Sequence, residues 1–164
     1  MYNNILVPVD GSPASTRGLD EAIKLTKDQD AELRLLHVIN EWLAVSPDAT
    51  GSDTGALAEG LRESGNAVLD AAEVRARTAG IIPKTVLLEQ IGMPVGAVIL
   101  KHAEDWPADL IVCGTHGRRG VRRLVMGSDA EYVLRHARVP VLLLRHPEED
   151  EGGEEEGKKE KEKK

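Results

Sequence analysis

The chain has 164 residues, with 21 Lys+Arg against 28 Asp+Glu and a formal charge of −7. That length suggests one domain with a core of its own, and the acidity argues against a nucleic-acid binder, whose footprint is basic. A lone cysteine, Cys113, excludes an intramolecular disulfide framework and a cysteine-based zinc cluster; no apolar run reaches the roughly 18 residues of a membrane span, and Met1 to Asn4 lacks the charged start of a secretion signal, so a soluble cytoplasmic protein is expected.

Asn4 to Val9 is a nearly continuous apolar run that stops at Asp10, Gly11, Ser12 and Pro13. This predicts a buried strand, a tight turn, and a helix from Pro13 to about Asp28 with Ser12 as N-cap. Leu19, Ala22, Ile23 and Thr26 would form its inner face. Ala31 to Val38 reads as a second strand. Residues 40–55 are rich in Gly, Ser, Asp, Thr and Pro and predict a long loop, of the length used for lids. Leu57, Leu61, Val68 and Ala72 would mark the inner face of a long helix ending near Gly80.

Thr85 to Glu89 predicts a third strand. Gly92, Met93 and Pro94 open a helix whose Val95, Val98, Ile99 and His102 share a face. Asp109 to Cys113 is a fourth strand, followed by a Gly- and Arg-rich loop to Gly127. A helix from about Asp129 to His136 and a fifth strand from Val139 to Leu144 complete the pattern. Strands alternating with helices, each strand apolar throughout, predict an α/β fold with a parallel sheet covered on both faces.

Residues 148–164 hold nine acids, five lysines and no apolar side chain. Such a segment cannot offset its ordering entropy by burial, so it predicts a disordered tail on a domain of residues 1–147.

The segment Gly114 to Ser128 carries the chemistry. It leaves the carboxyl end of a strand, where open α/β sheets bind ligands, and ends where a helix presents unpaired N–H groups and a positive dipole end to an anion. Gly114 and Gly117 are expected to let the backbone turn and approach a ligand without a Cβ in the way, and Gly127 to do the same before the helix. Ser128 is expected to cap that helix, with Glu131 completing a capping box. Charge-assisted N–H to phosphate bonds contribute about 1.5–3 kcal/mol each, so a few suffice for a nucleotide. There is no G-x-x-x-x-G-K-[ST] loop, no G-x-G-x-x-G after the first strand, and Asp10 has no acidic neighbour to make a phosphorylatable receiver. Arg118, Arg119, Arg122 and Arg123 fit a phosphate clamp and a solvated loop equally. His37 reads as a satisfied, half-buried side chain and Cys113 as an inert buried thiol. No nucleophile with a paired base stands out, so no catalytic residue is assigned.

These residues resemble the universal stress proteins, whose ATP-binding members carry G-x-x-G, nine residues, then G-[ST]. Gly114, Gly117, Gly127 and Ser128 match that spacing without a gap. The resemblance extends to Ile5 through Ser12, to His37 and Val38, to Gly92 with Pro94, to Asp109 through Gly114, and to Val139 through Leu142. It spans residues 2–145. It implies a three-layer, Rossmann-like open parallel sheet of five strands in the order 3-2-1-4-5, with helices on both faces. By the family pattern, adenine lies near Pro8, Val9, Asp10 and Val38, and ribose against Asp10 and Gly114. The neighbouring Ser12, His116 and Arg118 complete the expected site. Phosphates rest on Gly117, Gly127, Ser128 and Asp129, with Mg²⁺ bridging them. The last strand, through Val139, Val141, Leu142 and Leu143, is expected to pair with its twin in a homodimer, which would cover an apolar edge. The expected function is an ATP-binding stress-response module without nucleic-acid or membrane partners. The alternatives are a slow ATPase or autophosphorylating enzyme at the same site, and a dimeric interaction protein that holds no nucleotide.

Overall fold

A computed structural model describes residues 1–40, 54–115 and 126–145. The glycine-loop residues His116, Gly117 and Arg118, most of the 40–55 loop and the 148–164 tail lie outside the described residues. The elements run β1 (Asn4–Pro8), α1 (Pro13–Gln29), β2 (Glu32–Asn40), α2 (Thr54–Thr78), β3 (Lys84–Gln90), α3 (Val95–Asp105), β4 (Leu110–Gly114), α4 (Ser128–His136) and β5 (Val141–Leu144). All neighbouring strands are parallel, in the order β3-β2-β1-β4-β5. Fold class and strand order therefore agree with the sequence reading.

Period-two alternation sorts the apolar strand residues into two cores. Ile5, Val7, Leu33, Leu35, Leu110 and Val112 face α1 and α2, where Leu19, Ala22, Ile23, Leu69, Ala72 and Ala76 meet them. Leu6, Leu36 and Ile111 face the other way, onto Ile99 and Ala103 of α3 and Val133 of α4. Because both faces are covered, the strands need no polar face, which is why they read as unbroken apolar runs. Each fully buried Leu or Ile contributes roughly 1.5–3 kcal/mol by leaving water.

Two expectations need correction. Of the residues expected on the inner face of α2, Ala72 is buried and Val68 packs against the core, beside Gly65, Leu69 and Ala76, whereas Leu57 is 41 % exposed. Leu57, in the first turn of the 25-residue α2, packs on neither core cluster. Gly65 sits where α2 crosses β2 and β3: a Cβ there would come within 2.8 Å of Leu87 and 3.0 Å of His37. The fifth strand starts at Val141, two residues later than expected. Pro140 has no N–H for a ladder, and only its carbonyl is used, accepting from the Ile111 N–H at 3.0 Å.

The switch in strand order falls between β1 and β4. From β1 the chain crosses through α1 to β2 on one side; from β4 it crosses through α4 to β5 on the other. α1 and α4 lie on opposite faces of the sheet, so the two connections diverge and open a crevice above the carboxyl ends of β1 and β4.

Candidate functional site

The β1 side of the crevice is a locked turn. Gly11 has φ +80°, a conformation that disfavours other residues. The Asp10 carboxylate accepts from the Ser12 N–H at 2.9 Å. The Ser12 hydroxyl accepts from the Ser15 N–H at 3.2 Å, capping α1 as the sequence suggested. The Ser15 hydroxyl accepts from the Asp10 N–H at 3.2 Å. These bonds hold Asp10 at the lip of the crevice, half-buried, while Ser12 lies buried beneath it. Ser12 thus shapes the turn from below.

Pro8 and Val38 are on the α3–α4 side of the sheet: Pro8 is in register with Leu36, and Val38 packs on the same cluster as Leu36. Val9 is buried against the other core. Its carbonyl faces the His37 ring, with Nδ1 at 2.6 Å, and its N–H donates to the Leu36 carbonyl at 2.8 Å. His37 is a satisfied side chain that fixes the end of β1.

On the β4 side the structure changes the roles of three residues. Gly114 was expected to make room for a ligand, but its missing Cβ makes room for α1. A Cβ at 114 would lie 2.6 Å from the Ala14 carbonyl carbon and 2.7 Å from the Ser15 nitrogen. Gly127 uses its N–H for the Thr115 carbonyl, at 2.9 Å, so that amide is already committed. Ser128 is not the helix cap. Gly127, held extended by its bond to Thr115 (φ −61°, ψ 146°), occupies that position, and no side chain caps the helix. The expected capping box is absent; the Glu131 N–H instead donates to the Gly127 carbonyl at 2.9 Å. The first-turn N–H groups of α4 therefore belong to Ser128, Asp129 and Ala130. The Ser128 side chain is exposed.

Thr115, which the sequence did not single out, joins these parts. It is 6 % exposed, and its N–H donates to the Leu144 carbonyl at 2.9 Å while its own carbonyl receives Gly127. Thr115 thereby joins Gly127, at the start of α4, to the end of β5. Only the strand-to-helix context hinted at this; a single Thr after a strand carries no sequence signal.

Among the described residues no three His, Cys, Asp or Glu side chains cluster as a metal site. Asp10 is engaged by Ser12, and the Asp129 carboxylate accepts from the Gly96 N–H at 3.3 Å. Among the described residues these carboxylates do not form a cage for a divalent ion. Cys113, 6 % exposed beneath the crevice, has its thiol pushed up to about 12 by burial, which keeps it unreactive. A separate groove of about 470 Å³ runs between α3 and α4, past Leu100, Lys101, Tyr132 and Arg138. It lies toward the amino ends of β4 and β5, where Pro107, Ala108 and Val139 line it, and so at the opposite end of these strands from the crevice. No helix of the described residues is long and apolar enough to cross a membrane.

A model of the Universal stress protein family matches residues 1–145. A universal stress protein of Methanocaldococcus jannaschii is 35% identical over 150 residues, covering 92% of this chain and 86% of that protein. Universal stress protein YxiE of Bacillus subtilis is 32% identical over 151 residues, covering 88% of this chain and all (100%) of that one. The structure of universal stress protein UspA from Lactobacillus plantarum superposes with a TM-score of 0.72 at 30% identity, over 88% of this chain and 98% of that one. The fold is shared with universal stress protein structures solved with cAMP (TM-score 0.60, 24% identity, 88% and 97% of the two chains) and with dAMP (0.63, 22%, 87% and 98%), a likeness of fold alone. With residues 1–145 matched end to end and two curated relatives above 30% identity, this chain belongs to the universal stress protein family.

Proposed function

We propose that this chain is an ATP-binding regulatory module of the cytoplasm, a homodimer that holds Mg²⁺–ATP in the crevice between β1 and β4. The observation that carries this reading is the Gly127–Thr115 hydrogen bond. It sets the amides of Ser128, Asp129 and Ala130, with the positive end of the α4 dipole, at the mouth of a parallel sheet, where an anion is best received. Adenosine lies along Pro8, Val9, Asp10 and Val38, and the phosphates reach the Gly117 backbone and the first turn of α4. Two proteins of the same fold are described in complex with adenine nucleotides, cAMP and dAMP.

Dimerisation through β5 rests on its edge position. The strand pairs only β4 among the described strands, and Val139, Val141, Leu142 and Leu143 are half-buried. A second copy of β5 would satisfy the outer N–H and C=O groups and cover that apolar rim.

The test is to denature the purified full-length chain and chromatograph the supernatant. Stoichiometric ATP supports the proposal, and its survival for hours on the folded protein supports a binding module over an ATPase. A nucleotide-free preparation that also fails to bind added Mg²⁺–ATP would refute it.

A further inference from the structure

We propose that Asp129 is a positioning and charge-selecting residue of this site, and that its carboxylate ligates neither phosphate nor metal. This rests on the nucleotide reading above. The N-cap of α3 is Pro94, which offers no side-chain cap, so the amides of the helix's first turn need partners from elsewhere. The Gly96 N–H finds one across the helix–helix contact, in the Asp129 carboxylate at 3.3 Å. The two helix starts meet closely because residue 96 has no side chain. A Cβ there would fall 2.8 Å from the Tyr132 Cβ and 3.0 Å from the Asp129 carbonyl oxygen.

The contact has two consequences. It fixes the first turn of α4, whose amides face the crevice, to a helix packed on the sheet core. It also commits one oxygen of the negative side chain to an amide of α3. The charge is still present: Asp129 sits in the first turn of α4, where it offsets the positive end of the dipole, whereas Glu131 in the same turn is paired with Arg135 at 2.7 Å. Each further phosphate charge not neutralised by a divalent ion is therefore disfavoured. The site takes a metal-complexed triphosphate, or a nucleotide of low charge, in preference to free ATP.

Titration calorimetry on the full chain tests this, with ATP and AMP, each in EDTA and in Mg²⁺. Asp129→Asn keeps an oxygen to accept from Gly96 and removes the charge. It should tighten free ATP about threefold, and AMP less, as the Coulomb term scales with ligand charge. Asp129→Ala removes the acceptor too, and should bind Mg²⁺–ATP about fivefold more weakly than Asp129→Asn. Loss of Mg²⁺–ATP affinity in Asp129→Asn equal to that in Asp129→Ala would make Asp129 a direct ligand and overturn the proposal. So would identical binding by wild type and both variants. Amide exchange at Gly96 in nucleotide-free protein separates the two readings. Protection kept in Asp129→Asn and lost in Asp129→Ala supports the brace. A wild-type chain that binds no adenine nucleotide overturns the site reading, and this role with it, whatever Gly96 shows.

Discussion

Gly114 and Ser15 stand closer than any side chain at position 114 would allow. A Cβ on Gly114 would be 2.7 Å from the Ser15 nitrogen, and what it meets is helix backbone that cannot step aside. The same first turn of α1 caps itself through Ser12 and binds Asp10, so displacing it disturbs the β1 lip of the crevice. Gly114→Ala should destabilise the nucleotide-free protein by about 1–3 kcal/mol, the usual cost of overpacking. Urea denaturation without nucleotide measures this. An unchanged midpoint would mean that the close approach does not matter to folding.

His102 gives the fold a pH-dependent element. Its Nε2 is 3.4 Å from the Arg34 guanidinium, which in turn lies 4.1 Å over the Trp106 ring. Burial first, and the Arg34 charge second, hold the imidazole below its ordinary value of 6.5, against a smaller opposing pull from Asp105. The folded state thus binds its proton less readily than the unfolded chain does. The stability from this group is complete above 6.5 and is lost as pH falls from there through the folded value. Subtracting the stability of His102→Gln from that of wild type across this range should give a difference that shrinks on acidification. A difference independent of pH would contradict the placement of His102.

Cys113 should be silent toward thiol reagents. At 6 % exposure, with its thiol pushed up to about 12 by burial, it presents almost no thiolate near neutral pH. A disulfide reagent at pH 8 should label none of it in the folded protein and one thiol per chain in denaturant. Rapid labelling without denaturant would show that the end of β4 opens.

The sheet was legible because burial on both faces forces unbroken apolar strands, and α1 because Ser12 and Pro13 punctuate its start. Residues whose role depends on distant chain were not legible. Gly114 looked like a ligand glycine, and only the approach of α1 shows what fills its space. Ser128 looked like a cap, but the Thr115–Gly127 bond moves the cap back one residue. Leu57 fits the helical period, yet a period does not tell which turns of a helix the rest of the fold will cover. Asp129 carried no capping signal for α3 because its partner, Gly96, lies 33 positions earlier in the chain.

The most direct measurement is a crystal structure of the full chain grown with millimolar Mg²⁺–ATP. The account predicts phosphate oxygens within hydrogen-bond distance of the Ser128 and Asp129 amides, adenine beside Pro8 and Val38, and the Gly127 amide still bonded to Thr115. A crevice left empty at that concentration, or ATP bound elsewhere on the molecule, would contradict it.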